Sequence, residues 1–166
     1  MRKCAAILAL LIATTFFAGP WQTANAALSA VDQGPYLAYY GFYPAWYQDS
    51  NGLQLELCLS KAISPNVQPP DPAAFMCGGL LPAPPFDPNL PIVFPLNWSD
   101  ENFWFMGDAA MTVGGNDMLL ITGLEAAFGT GPVLNGDQVS FARVRIRIDV
   151  PSPGGDYVVT TPYGVF

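Results

Sequence analysis

Between Ser64 and Pro95 the chain carries Pro65, Pro69, Pro70, Pro72, Pro82, Pro84, Pro85, Pro88, Pro91 and Pro95. Each proline fixes φ and lacks a backbone donor, so no helix can run through this stretch and no central strand can be paired along it. The segment is therefore expected to be a long ordered loop held by contacts outside its own backbone. Cys58 and Cys77 are placed to hold it, one just before the proline-rich stretch and the other within it. A bridge between them would stabilise the fold by about 3 kcal/mol, because it limits the unfolded chain. The alternatives are two free thiols or a metal pair, but the chain has no His and its third cysteine, Cys4, stands in the leader, so a zinc site has no further ligands.

The leader is the second constraint. Arg2 and Lys3 precede an uncharged apolar run from Ala5 to Ala18, and Ala24-Asn25-Ala26 places small residues where signal peptidase cuts. An apolar run of roughly 14 residues is too short to cross a hydrocarbon core of about 30 Å, which favours a removed signal over a retained anchor. Residues 1–26 are read as a signal peptide and 27–166 as one domain, secreted or at the cell surface, in an extracytoplasmic and disulfide-permitting compartment. The whole chain has a net charge of −7, and loss of Arg2 and Lys3 leaves four basic residues against 13 acidic ones, a net charge of −9. Three of those four, Arg143, Arg145 and Arg147, fall in one segment, which leaves no dispersed basic surface for nucleic acid or anionic membrane.

The rest of the chain reads as strands and turns. Gly34 to Tyr47 is dense in aromatics broken by Pro35, Gly41 and Pro44, Asp49-Ser50-Asn51-Gly52 is a turn, and Leu53 to Leu59 alternates as a strand whose Leu face should meet the core. Asn102 to Met106 and Ala109 to Val113 read as two strands, and Gly114-Gly115-Asn116-Asp117 as a turn. Met118 to Phe128 reads as a strand, although Leu124 to Phe128 contains good helix formers. After Asn135-Gly136-Asp137, the segment Gln138 to Val150 puts Val139, Phe141, the three arginines and Asp149 on one face and Val144, Ile146, Ile148 and Val150 on the other. Tyr157 to Thr161 gives a last strand. Regular strand spacing with Gly, Pro and Asn turns predicts an all-β antiparallel sandwich with one long Pro-rich loop and one disulfide.

The stretches Tyr43-Pro44-Ala45-Trp46-Tyr47-Gln48-Asp49-Ser50-Asn51-Gly52-Leu53-Gln54-Leu55-Glu56-Leu57-Cys58-Leu59, Leu124 to Phe128 and Gly136 to Arg147 resemble an uncharacterised module of secreted bacterial proteins. Such modules often stand ahead of Ig-like or other repeat domains. The resemblance implies bacterial secretion and a modular role, and brings no activity with it. The strand-like ending at Phe166, without a polar tail, fits the front module of a longer polypeptide or a truncated reading frame.

Without His, Ser-His-Asp and Cys-His catalysis are excluded, and an enzyme would have to work with carboxylates such as Asp100, Glu101, Asp108 and Glu125. Solvated surface acids are the simpler reading. Trp46, Tyr47, Trp98 and Trp104 are candidate ligand-binding aromatics for sugar stacking, against a packing role in the core. Asp49 and Asn51, with Asp117 or Asp137 from other turns, offer oxygens for calcium, against a plain hairpin turn that lacks the remaining ligands of a calcium loop. Arg143, Arg145 and Arg147 form either an anion or carboxylate patch or a row paired with acids on a neighbouring strand. Asn97-Trp98-Ser99 matches a glycosylation acceptor by chance. The expectation is a non-enzymatic structural or interaction module without a cofactor, its partners other extracellular protein modules or glycans. A carbohydrate-binding module is the alternative and a carboxylate-based glycoside hydrolase the distant one.

Overall fold

The computed structural model describes residues 27–149, 154–161 and 164–165; the signal assigned to residues 1–26 and the end of the last long strand at Val150 lie outside them. The described chain is almost wholly strand and loop. A small antiparallel sheet has the order β1-β2-β3, from Leu28–Val31, Trp46–Asp49 and Gln54–Glu56. A larger one has the order β4-β5-β6, from Asn102–Val113, Asn116–Phe128 and Gln138–Ile148, and a two-residue pairing joins β7 (Thr160–Thr161) to β8 (Gly164–Val165). Among the described residues no helix is long and apolar enough to cross a membrane.

Local sequence explains the turns. Gly114 and Gly115 have φ of 59° and 83° between the paired Val113 and Asn116, the left-handed pair that a tight hairpin needs at both central positions. At the other hairpin, Asp49 Oδ1 accepts from the N–H groups of Asn51 and Leu53, both at 2.8 Å, so the carboxylate builds the turn.

Several strand boundaries differ from those expected. β4 is one strand across Gly107, where the Phe105 ring covers the space that a Cβ would fill, and its irregularity lies earlier, between Phe103 and Phe105. Leu124 to Phe128 is strand, as expected for Met118 to Phe128 despite its helix formers, because pairing on both sides, with β4 and with β6, overrides local preference. β3 is shorter than the Leu53 to Leu59 alternation: Leu53 is 59% exposed, while Leu57 is buried and its N–H donates to Ala45 O. The Cys58 N–H then donates to Phe103 O at 2.9 Å, tying the chain to β4. Of the expected last strand, only Thr160 and Thr161 pair.

The sheets meet at one end around Tyr43, Leu57, Trp98, Trp104, Ala126 and Phe128, with Tyr47 and Leu55 of the first sheet packed against them. Trp104 is the centre of this cluster. Its Nε1 donates to Pro44 O at 3.0 Å, and its ring meets Tyr47 and Tyr43 edge-on, with centroids 4.8 and 6.1 Å away. Trp98 is 1% exposed, and a Cβ at Gly41 would come within 2.6 Å of its ring. Gly41 also has φ of 62°, so glycine is required there twice over.

The disulfide joins Cys58 to Cys77, 19 residues apart with Cα atoms 5.4 Å apart. Cys77, Leu80 and Phe86 form a second small buried cluster beneath it. Prolines cannot donate but their carbonyls still accept, and side chains exploit this: Lys61 Nζ donates to Pro88 O and Leu90 O, and Asn97 Nδ2 to Asp87 O and Pro91 O. Asn97 is 6% exposed, so its amide serves the loop, not an attached sugar.

Two outcomes follow. Cys58→Ala with Cys77→Ala lowers unfolding stability by about 3 kcal/mol, read by urea denaturation. Gly41→Ala costs more than about 1 kcal/mol, and the cost shrinks in a Trp98→Phe background, which makes room for the added methyl. Additive effects of the latter pair in a double-mutant cycle would contradict the packing described.

Candidate functional site

A buried carboxylate on β5 is held by a cation from β6. Glu125 is 2% exposed and receives Arg143 of β6 through both oxygens: Nη2 donates to Oε2 at 2.7 Å, and Nε stands 2.6 Å from Oε1. The residues are not directly opposite, since Glu125 pairs with Phe141 and Gly123 with Arg143. Glu125 therefore reaches diagonally over Gly123, where a Cβ would stand 3.3 Å from its Oε1. Burial raises the Glu125 carboxyl above the usual range, and the Arg143 guanidinium opposes that shift. Glu101 lies 3.7 Å from the same guanidinium, and the Phe141 ring lies beneath it with its centroid 5.6 Å from Cζ.

Of the acids that could have served hydrolysis, Glu101 and Glu125 thus converge on one cation. Two cavities lie elsewhere. One, about 260 Å³, is lined by Ile63, Phe75, Leu80 and Pro82 of the Pro-rich region; the other, about 350 Å³, lies beside Tyr39, Tyr40 and Glu56. In the second, the Tyr40 hydroxyl donates to Glu56 Oε1, which with partial burial pushes the phenol up to about 12. Tyr43, deeper, donates to Ala127 O, and burial first and Asp137 second raise it further.

The aromatic candidates divide. Trp98 and Trp104 are 1% and 4% exposed and belong to the core, which corrects their reading as ligand-stacking rings. Tyr47 is half-buried against Trp104 with its hydroxyl 3.0 Å from Ser140 Oγ, and Trp46 is half-buried opposite Glu56. Among the described residues the near-parallel ring pair, Phe94 and Phe128, is also part of the core packing, at an interplanar angle of 19°. The turn acids are engaged as well. Asp49 holds its own turn, Asp117 accepts from Thr112 Oγ1 at 2.7 Å, and Asp137 accepts from Thr130 Oγ1 and N–H. Those Thr130 hydrogen bonds hold the Asp137 carboxyl below its ordinary value. No group of three or more Cys, Asp or Glu among the described residues is arranged to hold a metal ion.

The arginine row splits between its two readings. Arg143 pairs as a structural residue does, whereas Arg145 and Arg147 are exposed, stand opposite Ile121 and Leu119, and make no ion pair among the described residues. They belong to the far half of the β4-β5-β6 sheet, where the first sheet no longer covers it. Met111 and Val144 there are 56% and 43% exposed. Sequence reasoning identified the row but not this free half, because alternation marks faces and cannot say whether a second layer covers them. No protein family, curated protein or solved structure matches the chain.

Arg143→Ala leaves a buried carboxylate without its cation and lowers stability by about 3 kcal/mol at neutral pH. The variant's Glu125 has a folded-state pKa above its unfolded value, so the loss is relieved below the unfolded carboxylate range and reaches full size as pH rises through the folded pKa. Urea denaturation at about pH 3 and at neutral pH checks the sign, since the unfolded carboxylate values of about 3.9–4.3 lie between; a penalty that does not change with pH would contradict it.

Proposed function

We propose that this chain is an extracytoplasmic, non-enzymatic interaction module that docks another protein on the free half of its β4-β5-β6 sheet. The observation that carries this reading is the long sheet standing clear of its own sandwich. Beyond Gly107 on β4 and Ala142 on β6, both outer strands expose apolar side chains, and no backbone hydrogen bond from another described segment reaches their outer edges up to Val113 and Ile148. Unpaired strand edges recruit other chains unless they are blocked, and exposed apolar patches mark interaction surfaces.

The compartment reading rests on the leader, the disulfide and the resemblance to secreted bacterial modules. Lysine-poor and acidic overall, the mature chain keeps cations off nearly all of its surface and concentrates them on this one strand. Stacking of sugar rings has lost its two largest candidates to the core.

A photoreactive amino acid placed at Val144 or Met111 in the producing cell should give discrete, higher-mass cross-linked products. The same residue at Leu90, 52% exposed on the Pro-rich loop, should not. Equal labelling from all three positions would overturn the reading.

A further inference from the structure

The outer edge of β6 has a recognisable chemistry. Its inner edge pairs with β5 from Gln138 to Ile148, and its base is tied to the sandwich by Gln138 Nε2 donating to Gly41 O and by Ser140 beside the Tyr47 hydroxyl. From Ala142 to Ile148 its outer backbone groups have no backbone partner among the described residues. One face of this stretch carries Arg143, Arg145 and Arg147, and the other carries Val144, Ile146 and Ile148.

A strand added to this edge would place its side chains about 4.5–5.5 Å from their neighbours on β6. Same-face side chains along it would recur every 6.6 Å or so, the repeat of the arginines themselves. Acids at alternate positions would then meet Arg145 and Arg147, which make no ion pair among the described residues although the chain has 13 acidic residues to six basic ones. Aliphatic residues between them would extend the surface of Val144, Ile146 and Ile148. A second copy of β6 is disfavoured, because antiparallel self-pairing sets arginine rows side by side. β4 of a second copy offers Asp108 alone on the face it shares with Ile121.

We propose that the outer edge of β6 is a docking strand for an acidic amphipathic strand of another extracytoplasmic protein, with Asp or Glu alternating with aliphatic residues. Backbone hydrogen bonds supply affinity and the arginine row supplies register and polarity of charge. Arg143, held by Glu125, keeps the lower end of the row fixed. This inference rests on the interaction reading above and narrows it to one edge and one partner chemistry.

The probe is a blocked heptapeptide alternating Glu and Val, titrated into the mature protein by calorimetry and by amide NMR. Three results are expected: saturable binding with shifts confined to Ala142–Ile148, at least a tenfold loss of affinity in Arg145→Glu with Arg147→Glu, and weakening with added salt. The milder Arg145→Gln with Arg147→Gln should lose affinity in the same direction, and circular dichroism of both variants should match that of the parent. No saturable binding, equal binding of a peptide alternating Lys and Val, or indifference to both variants would overturn the proposal. If cross-links still form from Val144 while the acidic peptide fails, the interaction reading survives and the acidic-strand inference falls; if both fail, both fall.

Discussion

Trp104 stands where β4 breaks register, and the break turns its indole towards the first sheet. The consequences spread from that one side chain. Its N–H donates to Pro44 O, its ring receives Tyr43 and Tyr47 edge-on, and Phe128, Ala126 and Trp98 complete the cluster. Edge-on aromatic pairs contribute about 0.5–1.5 kcal/mol each beyond the area they bury, so several such contacts can hold two small sheets together where neither could stand alone. The packing is not free of cost. Trp98 Nε1 and Asn102 Oδ1 are buried without a partner among the described residues, and each such group costs about 1–3 kcal/mol.

Everything away from this cluster is secured by a different kind of bond. Ten prolines leave the Pro-rich loop short of backbone donors, so beyond its local turns it is fastened by the Cys58–Cys77 bridge, by Lys61 and by the Asn97 amide, which reach for carbonyls or cross the loop covalently. On the larger sheet, the Glu125 and Arg143 pair marks the limit of the covered region. Inside it β5 is buried; beyond it β4 and β6 expose both faces. A buried ion pair is weak evidence for stability but fixes register well, because a one-residue slip would strand Glu125 without its cation. The free half of the sheet is thereby held in one alignment, and that alignment sets the arginines in a row.

Much of this was legible in the residues. The β character, the turns at Asp49–Gly52 and Gly114–Gly115, the ordered proline loop and the disulfide all follow from composition, alternation and cysteine spacing. What was not legible depended on distant partners. Trp98 and Trp104 look alike in sequence to exposed sugar-stacking residues; they are buried because Gly41 lets the chain approach one and the β4 irregularity turns the other. Arg143 differs from Arg145 and Arg147 because Glu125 reaches it across Gly123, a diagonal that no periodicity marks. The Asn97 amide and the Tyr40 to Glu56 hydrogen bond were not legible either, because irregular loop paths, which follow no periodicity, bring these side chains to their acceptors.

Native-state hydrogen exchange along β5 and β6 tests most directly the claim that the distal half is an ordered, open-edged sheet. Slow exchange is expected for the inward-bonded amides of β5 over its whole length and of β6, together with fast exchange for the outward amides between Ala142 and Ile148. Protection of those outward amides would mean the edge is already covered, and exchange of the whole distal half at unfolded-chain rates would mean there is no ordered strand for a partner to join.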